Sequence, residues 1–502
     1  MLNNKIFYSN RKELSVLSNN SVVLCYGHFN LIHPGHLRYL QHAKNLANKL
    51  IVVIRSDEGL DEDLFGQHFT EDERAESVAN LQIVDGVIIL NQLTLDKLVD
   101  IVKPSVLVLG KEFEQKQPKY ISSAISAVRK QGKTVFHAGE AHYATSNLLH
   151  GNVLDIEKTS VDDFKAICKN HKLTLNTLQD RLNSFSNSKL LVIGDTIVDN
   201  YVACDAIGMS AEAPVLVVKE LENREFLGGA AIVASHVRAL GAQCHYISVV
   251  GEDSSSRMVA KVLEGHSVSA DLLIDSSRPT TYKTRYMVEN QKLFRVSRIK
   301  DHKISKNIEQ EIINKLNKLA PDIDGIMVSD FVYGVITQNI LDEITRLSKK
   351  FNIKLFGDLQ CSSQVGKVTK FNDFDLITPT EKESRIALDD NESGLEWIAN
   401  TLLKKTNSKN MLLKLGPDGF IAYSNDKLIQ RQNFPALTVN PVDVTGAGDS
   451  LFAAMSVSLS SGASLIESSA IGVCMASLAV KEVGNIPISK EKLSSYMGNI
   501  LE

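Results

Sequence analysis

The feature that most constrains this chain is an unbroken apolar run, Val22-Val23-Leu24-Cys25-Tyr26, which stops at Gly27 and gives way to a helical pattern. A run of this kind predicts a strand buried on both faces, with helices packed above and below it. The rhythm then repeats. Residues 35–49 read as an amphipathic helix with Leu37, Leu40, Lys44 and Ala47 along one side, and Leu50-Ile51-Val52-Val53-Ile54 reads as the next strand. Further strands are expected over 86–90, 105–109 and 134–137. Alternation at this period predicts βαβ units and a parallel sheet, with ligands in the crevice beyond the carboxyl ends of its strands.

The rhythm breaks between 151 and 188, a polar stretch in which 162–169 and 174–185 each suit a short helix. We read it as a connector whose second half packs against the domain C-terminal to it; a helical partner-binding insert is the alternative. A second α/β unit starts at Leu190-Leu191-Val192-Ile193, and within it 280–288 and 292–299 alternate like exposed antiparallel strands of a small β-lid. The expected division is therefore 1–150, a connector over 151–188, and 189–502. A chain of 502 residues calls for roughly two to four domains.

Composition narrows the setting. A formal net charge of -4 argues against a nucleic-acid coat or a polybasic membrane anchor. No apolar stretch approaches the ~20 residues needed to span a bilayer. The N-terminus lacks a secretory h-region, and the 6 cysteines follow no metal or disulfide spacing. The expectation is a soluble cytoplasmic protein without nucleic-acid or membrane partners.

Two strand-to-helix turns carry chemistry. In the first, Tyr26-Gly27-His28-Phe29-Asn30-Leu31-Ile32-His33-Pro34-Gly35-His36, Gly35 permits tight backbone geometry at a helix start. Free N–H groups and the positive dipole end there favour a phosphate. His33 and His36 beside it can donate hydrogen bonds to a nucleoside triphosphate, stabilising charge as pyrophosphate leaves. A lone histidine is more often a satisfied structural group; the H-x-G-H spacing at such a turn favours function.

In the second, Asp443-Val444-Thr445-Gly446-Ala447-Gly448-Asp449-Ser450, small residues open a long helix expected to run through Leu459. The backbone N–H groups of Gly446, Ala447 and Gly448 can approach a transferring γ-phosphate. Asp449, in the first helical turn, is placed to accept a proton from an attacking hydroxyl. Phosphoryl transfer needs such positioning and charge stabilisation more than covalent chemistry.

The first turn resembles the G-x-F-D-x-x-H-x-G-H pattern of nucleotidyltransferases, the family that includes glycerol-phosphate cytidylyltransferases and the adenylyltransferase domain of heptose-activating enzymes. The likeness covers about 21–150. It implies a Rossmann-like fold, in-line attack of a substrate phosphate on the α-phosphorus of ATP or CTP, and His33 with His36 as the catalytic pair. Gly27 and Phe29 match the opening turn, whereas Asn30 stands in place of the family's Asp. Asp72-Glu73-Arg74 resembles an E-x-R element, implying that Arg74 faces phosphates, although the approach over 57–69 is acidic rather than basic. Thr145 and Ser146 resemble a triphosphate-binding S-T-T element. Lys44 lies where a family lysine assists phosphate binding; a solvated or partly packed lysine is the other reading.

The second turn resembles that of ribokinase-like (PfkB) sugar kinases, over nearly all of 189–485. Within that family the likeness is to the heptose-7-phosphate kinase domain of bifunctional heptose-activating enzymes. Gly194-Asp195-Thr196-Ile197-Val198-Asp199-Asn200-Tyr201 resembles the sugar site on the first strand, with Asp195 and Asp199 toward the sugar. Ser210-Ala211-Glu212-Ala213-Pro214-Val215 resembles an S-P-E-A-P-V-P-V segment, and Gly228-Gly229-Ala230-Ala231 a G-G-A-A-N turn whose Asn is Ile232 here. Lys283-Thr284-Arg285 resembles a K-T-R element suited to an anionic sugar phosphate; a solvated strand face is the plainer reading. Asp330 falls where the subgroup has S-D-Y and Asp358 where it has D-P-K. Lys414 and Gly416 fall in a T-R-G-x-x-G turn bordering the nucleotide. Glu383 matches the acid of an N-x-x-E element that organises magnesium and phosphate, with Thr380 in place of the Asn.

The resemblance implies a kinase using Mg2+ and ATP on the anomeric hydroxyl of a sugar phosphate, followed by nucleotidyl transfer to the 1-phosphate, giving a nucleotide sugar for lipopolysaccharide. The familiar heptose enzymes carry the kinase first; this chain has the reverse order. The Ile232 substitution implies a changed sugar pocket. An impaired or scaffolding N-terminal domain beside an active kinase is the alternative. Family likeness also implies a homodimer formed through the β-lid.

Overall fold

The computed structural model describes residues 5–9, 14, 21–30, 32, 34–57, 69–91, 93–110, 113, 118–129, 133–137, 153–212, 215–288, 291–361, 364–425, 431–438 and 440–502. The chain forms two compact units, Met1–Asn152 with Asp389–Asn400, and Val153–Leu388 with Thr401–Glu502.

The first unit is built on six strands: β1 (Ile6–Tyr8), β2 (Val22–Gly27), β3 (Lys49–Arg55), β4 (Gly86–Leu90), β5 (Val106–Gly110) and β6 (Lys133–His137). All pair in parallel, in the order β1-β4-β3-β2-β5-β6. Because side chains alternate across a strand, the apolar runs supply two cores at once. Val22, Leu24, Ile51, Val53 and Leu107 meet the helices Leu95–Val102 and Lys119–Val128, while Val23, Cys25, Val52, Ile54 and Val108 meet Pro34–Lys44 and Glu71–Ala79. The strand order reverses between β3 and β5, so the end of β2 is the switch point where such sheets bind ligands.

The first helix departs from expectation. It stops at Lys44, and its buried face is Tyr39, Leu40 and Ala43, with Leu37 42% exposed. Continuing the helix to 49 misjudged its face, because residues 45–48 turn out of the helix to start β3. The short edge strand β1 had no counterpart in the sequence reading.

The second unit carries a nine-stranded sheet and a four-stranded lid. The sheet contains β7 (Lys189–Gly194), β10 (Gln243–Val250), β11 (Ser269–Ile274), β14 (Gly325–Asp330), β15 (Lys354–Leu359), β16 (Leu376–Ile377), β17 (Asn410–Lys414), β18 (Phe420–Ser424) and β19 (Arg431–Phe434). Its order is β11-β10-β7-β14-β15-β16-β17-β18-β19, parallel as far as β17. The lid is β8 (Thr196–Met209), β9 (Leu216–Gly229), β12 (Thr281–Val288) and β13 (Gln291–Arg298), in the order β13-β12-β8-β9. The expected antiparallel pair is β12–β13, and β8 joins β12 in parallel.

The helices Ala447–Ser460 and Leu465–Ala479 are apolar nearly all round and pack together inside the main core. Such a pattern belongs to a buried helix rather than a surface one. Helices over Val153–Asn170 and Leu175–Ser184 add Phe164, Cys168, Leu178 and Leu182 to the same core. The polar stretch between the two rhythms is thus an integral part of the second unit's packing. Among the described residues, no helix is long and apolar enough to cross a membrane.

Candidate functional site

In the second unit, strand ends and one helix start bring several charged groups into a buried cluster. Asp358, at the end of β15, is fully buried and accepts hydrogen bonds from Thr378 Oγ1 (2.5 Å), Lys414 Nζ (2.7 Å) and Gln360 Nε2 (3.0 Å). The same Gln360 amide donates to Asp449 Oδ1 at 2.7 Å. Asp449 sits in the first turn of Ala447–Ser460. Burial, and next the Asp358 charge, push its carboxyl up to about 7, although Lys414 and Gln360 oppose the rise. Burial draws the Lys414 ammonium down, but Asp358, Glu383 and Asp449 together hold it above its ordinary value.

The helix start itself is cut to small residues. Gly446 has φ +80°, and a side chain there would meet Asn485 Oδ1 at 2.2 Å; only glycine suits both demands. Beside Gly448 the nearest neighbour is the Lys414 ammonium, 3.6 Å from where a side chain would begin. Gly416 starts the short turn Gly416–Asp418 just after β17. Glu383 accepts from the backbone N–H of Thr380 (2.8 Å) and of Cys361 (3.1 Å), while Thr380 Oγ1 accepts from Glu383 N–H (3.2 Å). That reciprocal cap explains how Thr380 can replace an Asn: its hydroxyl does the capping.

Toward the lid, Asp199 on β8 accepts from Arg285 Nη1 (2.5 Å) and Asn485 Nδ2 (3.0 Å). Gly228 is required beneath it, since a side chain there would lie 2.4 Å from Asp199 Oδ2, and Gly229 caps the helix Ala230–Ala239. Arg285 lies over the Tyr201 ring and Lys283 over Phe331 and Tyr333. Lys283 is buried and the Arg285 side chain is only 11% exposed, so the pair does not stand on a solvated strand face. Ile232 is wholly buried in the main core.

A second knot ties the lid to the turn before the helix. Tyr201 Oη donates to Asp443 Oδ2 at 2.6 Å, and Lys292 Nζ donates to Asp443 Oδ1 (2.9 Å) and Thr445 Oγ1 (3.0 Å). Burial would raise the Asp443 carboxyl, but Tyr201, Lys292 and Thr445 together take it down to about 2.

Three expected ligand residues are corrected by their partners. Asp195 turns inward and accepts the backbone N–H groups of Phe331 (2.8 Å), Tyr333 (3.4 Å) and Val335 (3.4 Å), so it shapes that loop rather than facing a sugar. Arg74 is fully buried, and its guanidinium donates to the carbonyls of Phe69, His28 and Arg55 and to Asp57 Oδ1. It braces the loops around β2 and β3 and is not directed at a phosphate. Lys44 closes the far end of its helix from the first turn, bound to Asp85 (2.5 Å) and the Asn48 carbonyl (3.0 Å).

At that first turn, Gly27 ends β2 and the buried Phe29 ring lies 5.0 Å from the His36 ring and 6.3 Å from Tyr39. Asn30 Oδ1 accepts the Phe69 N–H at 2.8 Å, a role for which an uncharged amide suffices. His33, Thr145, Ser146 and residues 58–68 lie outside the described residues.

The sequence reading missed Gln360, Tyr201, Lys292, Asn485 and Asp443 as site residues. Asp443 opens the quoted turn and Gln360 follows Asp358 at a strand's carboxyl end, so position could have flagged both. Nothing local marks Lys292 or Asn485, whose partners lie 151 and 286 residues away.

Comparison with known proteins gives the chain's relatives. Residues 24–146 match the model described as cytidylyltransferase-like, and 187–492 that of the pfkB family carbohydrate kinases. The chain is similar to the bifunctional protein HldE of Campylobacter jejuni, 31% identical over 312 residues, covering 61% of this chain and 64% of that one. It is similar to the HldE protein of Desulfatibacillum aliphaticivorans at 30% over 318 residues, 62% of this chain and 64% of the relative. The chain thus spans less than two thirds of the length of these relatives. In fold it resembles phosphofructokinase-2 from Escherichia coli in complex with substrates and products, with TM-score 0.53 at 15% identity over 63% of this chain and 100% of that one. The cytidylyltransferase-like segment precedes the kinase segment, and with 187–492 of its residues matched the chain belongs to the pfkB family of carbohydrate kinases.

Proposed function

We propose that this chain makes a nucleotide-activated sugar in two steps. The second unit, with its kinase domain in 189–502, transfers the γ-phosphoryl group of ATP to the anomeric hydroxyl of a sugar phosphate resembling heptose 7-phosphate. The first unit, within 1–150, joins the resulting 1-phosphate to a nucleotide drawn from ATP or CTP and releases pyrophosphate. The observation that carries the reading is Asp449, a buried carboxyl with pKa pushed up to about 7 at a glycine-rich helix start, beside the Lys414 ammonium. A base poised near neutrality can take a hydroxyl proton without being held permanently ionised.

In this reading Asp449 accepts the proton of the attacking hydroxyl. The N–H groups of Gly446, Ala447 and Gly448 and the Lys414 ammonium receive the charge of the transferring phosphoryl group, with Gly416 bordering the nucleotide. Asp199, Gly228 and Gly229 hold the sugar, and Lys283 with Arg285 answers its anionic end. Mg2+ fits as an ion carried by the triphosphate and water, the usual habit of this cation. Both Glu383 oxygens already accept backbone N–H groups, so Glu383 would act on it through water, and the ion would supply neutralisation of phosphate charge. In the first unit, His33 and His36 act on the triphosphate, with Gly27, Phe29, Thr145 and Ser146 lining its path. A cytoplasmic homodimer joined through the lid completes the reading.

A second reading rests on Arg74 and Lys44, both withdrawn from any phosphate by protein partners. It keeps the kinase and makes the first unit a nucleotide-binding or scaffolding module. Pyrophosphate release measured with ATP and CTP separately, with His36→Ala as control, separates the two. Release lost in the variant supports the transferase; no release with any sugar 1-phosphate supports the module. For the kinase, ADP formation with a panel of sugar phosphates should vanish in Asp449→Asn, and retained turnover would refute the assigned base.

A further inference from the structure

The strands around Asp449 bring up a group that neither the turn nor the family match assigns. Gln360 follows β15 directly, and its single Nε2 donates to two carboxylates, Asp449 Oδ1 at 2.7 Å and Asp358 Oδ2 at 3.0 Å. We propose that Gln360 is the positioning residue of the phosphoryl-transfer site, holding Oδ1 of Asp449 so that Oδ2 is the oxygen that takes the acceptor's proton. The inference rests on the kinase reading of this site.

The geometry carries the argument. An amide N–H bound to Oδ1 occupies one of that oxygen's lone pairs and restrains the carboxylate, and it does so without adding charge. The groups facing Asp449 electrostatically are Asp358 on β15, Lys414 on β17 and Asp199 on β8. Lys414 is already committed to Asp358 at 2.7 Å. A cation at position 360 would therefore leave Asp449 with two positive neighbours and make it a poorer base, whereas a neutral donor orients it and leaves it basic.

Two variants of opposite electrostatic sense test the assignment. Gln360→Met keeps the unbranched shape and removes the donor; Gln360→Lys keeps a donor and adds charge. The readout is the pH profile of sugar-phosphate-dependent ADP formation by the full chain, with kcat and KM resolved. Loss of a hydrogen bond to the charged form should move the acid limb of kcat/KM up by about one pH unit in Gln360→Met, and the added cation should move it down by about one unit in Gln360→Lys. At neutral pH Gln360→Met should lose about tenfold in kcat, with KM for either substrate within about twofold. A residue that only fills space would move both limbs alike or neither, and either of those results overturns the proposal. If the wild-type chain forms no ADP that depends on Asp449, the kinase reading has failed and this inference falls with it. Asp449-dependent turnover with unmoved limbs refutes the role of Gln360 alone.

Discussion

The two turns handle their charged neighbours in opposite ways. Around Asp449 the charged groups Asp358 and Lys414 converge at the end of a sheet, bridged by the neutral Gln360 amide in one buried cluster at the helix start. Around the first turn the cations expected at a phosphate are spent on the fold. Arg74 is consumed by three carbonyls and Asp57, and Lys44 by Asp85 and a carbonyl at the wrong end of its helix. Both regions pair their lysines with carboxylates; the difference is that Lys414 is anchored beside the glycine-rich helix start, whereas Lys44 is anchored at the far end of its helix.

The contrast can be broken most sharply at Asp449. Asp449→Asn should lower sugar-phosphate-dependent ADP formation by about a thousandfold or more, as expected on losing a positioned base, and initial rates at saturating ATP would read it. Unchanged rates would remove Asp449 from the chemistry. At Arg74 the expected effect is on stability instead. Arg74→Ala strands buried carbonyls and should cost the first unit about 3–5 kcal/mol, visible as a lower first transition in calorimetry with kinase turnover retained. A phosphate ligand would behave in reverse, with stability intact and nucleotide affinity lost.

Titration sharpens the same difference. The Asp449 carboxyl is raised to about 7 in the folded chain, so the kinase rate should climb as pH rises through about 7. The sign for stability is the opposite. A carboxyl whose folded value lies above its unfolded value weakens the fold increasingly as pH rises from the unfolded value to the folded one. Asp449→Asn should therefore raise the melting temperature of the second unit at pH 8 and leave it nearly unchanged at pH 4. An equal gain at both would remove burial of the charge as the cause. The smallest effect belongs to Lys44. Lys44→Met should change nucleotide turnover by less than about twofold, since a partly exposed ion pair is worth about 0–1 kcal/mol; a large rise in KM would return it to the site.

What could be read from residue order follows this physics. The apolar runs of β2 and β3 dictated a doubly covered parallel sheet because burial on both faces leaves no other solution. The Gly446–Asp449 turn was legible because a small-residue helix start is a local property of backbone and sequence. The roles of Arg74, Lys44 and Asp195 were not, because each depends on which distant backbone groups fall within reach once the sheet closes. Asp195 lies next to a motif strand, yet its oxygens meet N–H groups 136 to 140 residues away. The lid-to-turn knot through Lys292 and Tyr201 escaped for the same reason, as did the helix end at Lys44, where a one-sided pattern continued past the turn that stops it.

The most direct test of the account is product mass spectrometry of the full chain incubated with ATP, CTP and a panel of sugar phosphates, in parallel with Asp449→Asn. The account predicts a doubly phosphorylated sugar from the native chain, converted onward to a nucleotide sugar, and neither product from the variant. A phosphorylated sugar formed equally well by Asp449→Asn, or none formed by the native chain from any of the sugars, would contradict it.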